Sequence, residues 1–128
     1  MYAEVPQPFT PSVTTQQNCF GYFLTENDYT QAPVHANRLA AELWLCSQPF
    51  YNSLAQDGVP SLYFPCYPAT VVQDFHWAFL SKDGWSHKRG QMNAQLENHL
   101  SMDEHSMADF VANLGYEEPI FFHRILKT

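Results

Sequence analysis

Three side chains in this 128-residue chain are of types that do chemistry together: Cys19, His76 and His87. A thiolate attacks acyl carbon, an imidazole moves the proton, and a second polar group fixes the tautomer of that imidazole. Cys19 follows Asn18, a good helix N-cap, and opens the aromatic run CFGYFL, so a helix beginning at or near Cys19 is expected. Such a start places peptide N–H groups and the positive end of the helix dipole at the sulfur. Phe20, Phe23 and Leu24 fall on the helical face that would anchor it. His76 lies in DFHWAFL, where strand alternation sets Phe75, Trp77 and Phe79 on one face and His76, Ala78 and Leu80 on the other. Asp83-Gly84 is a turn signal, after which WSHKRG returns. If the turn is even in length, positions summing to an odd number stand opposite each other. His76 and His87 then share a face as near-diagonal neighbours. An odd-length loop would put them on opposite faces.

These side chains need elements to hold them. Residues 1–17, with Pro6, Pro8 and Pro11, read as an extended arm lying on a single domain of residues 18–128. A second helical pattern runs from His35 to Gln56, with Leu39, Leu43, Trp44 and Cys46 on its apolar face. It is interrupted at Pro49, and a helical turn resumes before Gly58. Ser61 to Tyr67 and Ala69 to Gln73 suit edge or irregular strands. Asp74 to Leu80 and the WSHKRG segment form the clearest hairpin. Gln91 to Leu100 and Ser106 to Leu114 read as short helices, and Pro119 to Leu126 as a closing strand. The fold class expected from this order is α+β.

At this level the motifs resemble a group of small papain-like proteins. NCFGYF and, about fifty residues later, QDFHWAFLSKDGWSHKRG match an N-C-aromatic-x-aromatic start and a D-aromatic-H-W … D-G-x-W-S-H-K-x-G hairpin. The order Cys, His, His is also similar to NlpC/P60-type cysteine peptidases. The resemblance covers residues 18 to 90. It implies a Cys-bearing helix packed on a small antiparallel sheet, with Cys19 as nucleophile, His76 as base and His87 orienting it. Asn18, Trp77 and Trp85, inside the same motifs, are the expected substrate contacts. The chain departs from the group at Ala78 and Phe79, where Tyr-Arg is typical, and at Arg89, where proline is typical. The expected function is a cysteine-dependent hydrolase (peptidase or amidase) or an acyltransferase. The alternative is a non-catalytic binding or inhibitory module on the same fold.

Composition narrows the remaining classes. The formal charge is −7, from thirteen acidic and six basic residues, and the cations are scattered. A phosphate-tracking surface needs clustered cations, so nucleic acid and anionic membrane are not expected partners; a peptide or protein substrate is. Three cysteines, Cys19, Cys46 and Cys66, are an odd and sparse set that suits reduced thiols. Cys46 and Cys66 read as packing residues. No Cys or His pair has the short spacing of structural zinc, and no glycine-rich phosphate cradle occurs, so neither metal nor cofactor is expected. The N-terminal residues lack a basic and an apolar region, so a cytoplasmic protein is expected; delivery as an effector is compatible with the same features.

Overall fold

Two asparagines start the two helices among the described residues. The computed structural model describes residues 4–54, 57–67, 75–90, 92–97 and 118–126. Asn18 is extended and its side-chain oxygen accepts from the N–H of Gly21 at 2.9 Å, opening helix α1 (Cys19–Phe23). The same oxygen accepts from Thr30 N–H at 3.0 Å, and the Asn18 amide donates to Thr30 C=O at 2.6 Å. The cap therefore also fixes the loop that follows the helix. Gly21 makes that return possible, because a Cβ there would stand 2.2 Å from the Asp28 carbonyl. Asn37 caps helix α2 (Arg38–Cys46) through Ala40 N–H in the same way.

Five strands form one antiparallel sheet: β1 (Val59–Phe64), β2 (His76–Ser81), β3 (Gly84–Lys88), β4 (Ala94–Glu97) and β5 (Ile120–Arg124). Their order across the sheet is β4-β3-β2-β1-β5. Few helices and an antiparallel sheet make this an α+β domain, as expected. The hairpin pairs Ser81 with Gly84 around the two turn residues Lys82 and Asp83, so Ala78 stands opposite His87. The even-turn parity is correct, and Gly84 adopts the positive φ of 139° that the tight return requires.

Several expectations need correction. The segment expected as an edge or irregular strand is β1, which is interior, paired with β2 on one side and β5 on the other. Its Pro60 is tolerated because the β1–β2 ladder begins one residue later, at Ser61. Ala94–Glu97 is a strand and not part of a helix. Ala, Gln, Leu and Glu are helix formers, but they pair along β3 and tertiary pairing overrides propensity. Tyr51 to Leu54 do not resume a helix: Tyr51 bridges to Arg124 and Asn52 folds back on Leu54 and Asp57. The apolar face of α2 is also rephased. Ala41 and Leu45 are buried, whereas Leu39 and Leu43 are about two-thirds exposed and Cys46 is exposed. Both pairs have i,i+4 spacing, so periodicity alone does not choose between the two faces. Ala69 to Gln73 and Ser106 to Leu114 lie outside the described residues.

The two sheet faces carry separate clusters. Tyr63, Trp77, Ile120 and Phe122 meet Cys19, Phe20 and Phe23 of α1 on one face. Leu62, Phe64, Ala78 and Trp85 pack on the other. The N-terminal arm runs along the first face and the hairpin tip. Gln7 C=O accepts from Lys82 N–H, Asp83 accepts from Phe9 N–H, and Ser12 C=O accepts from Ala94 N–H. Arg124 fastens arm and helix together: it donates to Glu4 and to the Phe23 carbonyl, and its guanidinium lies over the rings of Phe23 and Phe79. No helix among the described residues is long and apolar enough to cross a membrane.

Candidate active site

The hairpin builds a buried relay of three side chains. His76, the first residue of β2, stands opposite Phe64, while His87 stands opposite Ala78 two positions along. Alternation therefore points both imidazoles to the Leu62–Trp85 face. His76 Nε2 lies 3.0 Å from His87 Nδ1, with the rings nearly perpendicular at 87°. His87 Nε2 lies 2.9 Å from Glu97 Oε1. All three residues are buried.

This geometry orients every proton in the line. The Glu97 carboxylate can only accept, so His87 donates from Nε2. A neutral His87 then accepts at Nδ1, and His76 donates to it from Nε2. The tautomer of His76 is thereby set, and its lone pair resides on Nδ1. Electrostatics agree with neutral rings. Burial, then the neighbouring His87, then the Arg89 cation hold His76 well below the usual imidazole range. Burial also lowers His87, against the hydrogen bond and charge of Glu97, which pull it upward.

Glu97 is a member that the sequence reading missed, because it was assigned to a helix. The available signal was the second hairpin. A strand after Gly90 paired with β3 puts Glu97 opposite Trp85, on the His87 face. Among the described residues no group of three His, Cys, Asp or Glu is arranged to hold a metal ion.

Cys19 is the first residue of α1, is 4% exposed, and donates from its thiol to the Phe75 carbonyl at 3.6 Å. The sulfur thus meets β2 at the peptide joining Phe75 to His76. It comes from the α1 side of the sheet, whereas the His76 ring lies on the Phe64 side, 5.8 Å from that ring. Sulfur and imidazole share one end of β2 and approach it from its two faces, with the His76 backbone between them. The five-residue length of α1 gives only a small dipole, so the expected helix-end activation is weak.

The remaining expected site residues are buried. Trp77 is 0% exposed and Trp85 1%, each inside a core cluster, so neither presents a surface to a substrate. Asn18 spends its side chain on Gly21 and Thr30 as a cap. Of the other cysteines, Cys66 is buried as expected and Cys46 is not.

The relay makes the fold acid-sensitive. His76 and His87 have folded-state pKa values below their unfolded ones, so the unfolded chain binds more protons as pH falls. Their contribution is complete above the unfolded value of 6.5 and is lost progressively below it. With two such groups the slope approaches ~2.7 kcal/mol per pH unit. Urea midpoints between pH ~7.5 and ~5 are expected to fall steeply, and a flat profile through that window contradicts the buried neutral pair.

Compared with known proteins, the chain matches no protein-family model, no curated protein and no solved structure.

Proposed function

We propose that the chain is a papain-like, cysteine-dependent acyl hydrolase of the peptidase or amidase kind, or an acyltransferase with the same first half-reaction. Cys19 is the nucleophile, His76 the base and His87 the residue that orients it. The observation that carries the reading is the His76–His87–Glu97 relay. A buried line of this kind is costly to assemble, and its effect is to fix which imidazole nitrogen can take a proton. The relay starts at the residue whose preceding carbonyl the Cys19 thiol contacts.

Burial of His76 alters the expected order of events. A preformed imidazolium is disfavoured, so on this reading the thiol proton reaches His76 Nδ1 around the end of β2, which sulfur and ring approach from opposite faces, as sulfur bonds to the acyl carbon. The proton is then given to the departing amine, leaving a thioester on Cys19. Water or a second amine attacks that thioester, His76 takes the attacker's proton, the C–S bond breaks to the sulfur, and His76 returns the proton to Cys19 as the free acid or new amide leaves. Hydrolysis and transfer differ only in this last acceptor.

A second reading is a non-catalytic binding module on the same fold, and the near-complete burial of Cys19 and His76 favours it. One experiment separates the two. In a Cys46→Ser background, an electrophilic peptide acyl probe is expected to form a thioester on Cys19, and Cys19→Ala is expected to abolish both labelling and turnover. Acylation of Cys19 no faster than that of a free cysteine peptide sinks the enzyme reading and leaves the binding module.

A further inference from the structure

Lys88 is a lysine with 0% exposure, which is rare for this residue type and calls for an electrostatic explanation. Its ammonium donates to the Gln17 carbonyl and, at 3.2 Å, to the Gly90 carbonyl. Both acceptors are neutral, and among the described residues no carboxylate forms an ion pair with it. Gln17 is itself held: its side chain donates to Glu26 C=O and accepts from the Ser12 hydroxyl. Gln17, Asn18 and Cys19 are consecutive, and Cα atoms step by about 3.8 Å, so the ammonium is anchored two residues before the thiol. By alternation Lys88 and Ser86 project to the α1 face of the sheet, where Tyr22 meets Ser86.

We propose that Lys88 is the charge partner of Cys19: its buried ammonium fixes the peptide leading into α1 and stabilises the Cys19 thiolate. This rests on the reading of Cys19 as nucleophile. It supplies what the buried relay does not, because His76 is held neutral and offers the thiolate no resident positive charge. Burial pushes the Lys88 ammonium downward, and the Cys19 charge is what pulls it back up. Other ionisable side chains among the described residues have other roles. Tyr63, from β1, is pushed up by burial and stays a neutral phenol. Its hydroxyl is bonded to His35, which burial lowers. Arg89 is exposed, and its positive charge acts on the two relay histidines. Arg124 is committed to Glu4 and the Phe23 carbonyl. Lys88 is accordingly a positioning residue that acts through the sulfur.

The test is the pH dependence of Cys19 alkylation by iodoacetamide, mapped by mass spectrometry in the Cys46→Ser protein. Lys88→Met is expected to raise the midpoint by at least about one pH unit, a roughly tenfold slowing at neutral pH. Lys88→Arg keeps the charge and is expected to recover most of that shift. If Lys88→Met does not fold, the reciprocal measurement stands. Cys19→Ala is expected to lower the Lys88 ammonium midpoint, followed by NMR of isotope-labelled lysine. An activated Cys19 whose midpoint ignores Lys88→Met, or a Lys88 midpoint unmoved by Cys19→Ala, overturns the pairing and leaves the hydrolase reading standing. An ordinary free-thiol midpoint in the unaltered protein overturns both.

Discussion

Trp77→Ala is expected to unfold most of the population at room temperature. The indole is wholly buried at the centre of an aromatic stack, with Tyr63 at 4.0 Å and 16° on one side and Phe20 at 4.3 Å and 10° on the other. Phe50 and Phe122 approach edge-on at 5.7 and 6.2 Å. Emptying a buried aromatic site costs about 3–5 kcal/mol, and lost ring pairs add about 0.5–1.5 kcal/mol each. A domain of this size has only about 5–15 kcal/mol in total. Trp77→Phe keeps one stacked ring and is expected to fold with a lower urea midpoint. A Trp77→Ala loss below about 1 kcal/mol would mean that the stack collapses around the gap. The same stack has a functional consequence. Phe20 belongs to the helix carrying Cys19 and Trp77 to the strand carrying His76, so this contact helps set where the sulfur and the proposed base stand relative to each other.

How far the sequence foretold this arrangement differs by residue. Asn18 before an aromatic run located α1, because a cap is a local interaction between residues three apart. The hairpin was equally local: a turn signal at Asp83-Gly84 and alternation put His76 and His87 on one face for any even turn, and the turn formed by Lys82 and Asp83 is even. Tertiary competition was not legible. Leu39 and Leu43 share the period of Ala41 and Leu45, and only the packing of α2 decides which pair is buried. Glu97 was hidden for a related reason: AQLE has helix propensity, and its strand state depends on the partner β3 offers. The burial of the tryptophans was not legible from residue type. Large aromatics beside candidate catalytic residues suit a binding groove as well as a core, and burial alone separates the two. Lys88 was legible only in part: alternation puts it on the face opposite His87, with Phe75, Trp77 and Phe79, but nothing in WSHKRG says that this end of the face is covered.

His87→Ala is expected to lower kcat/KM by about 10²–10⁴-fold, the usual range for a positioned proton-transfer group. The substitution removes the 3.0 Å partner of His76 Nε2 and with it the bias that keeps the lone pair on Nδ1. It also leaves a buried polar ring short of a hydrogen bond, so a stability loss of about 1–3 kcal/mol accompanies the kinetic one. Glu97→Gln separates geometry from charge. Its amide oxygen can still accept from His87 Nε2, so the tautomer of the relay is kept and a smaller loss, about tenfold, is expected. Glu97 raises the His87 pKa, and its neutral replacement therefore lowers it further. Above the unfolded value of 6.5 this leaves stability unchanged through His87, and below it the acid destabilisation extends to lower pH. In the unaltered protein, a His76 that acts as the proposed base must be neutral to accept the thiol proton. Its depressed pKa then places the acid limb of kcat/KM well below the ordinary histidine value of 6.5. An acid limb at that ordinary value, or a His87→Ala rate within about twofold of normal, would remove His76 and His87 from the mechanism. Cys19 would then have to rely on Lys88 alone, and that outcome would show as a pH profile governed only by the thiol.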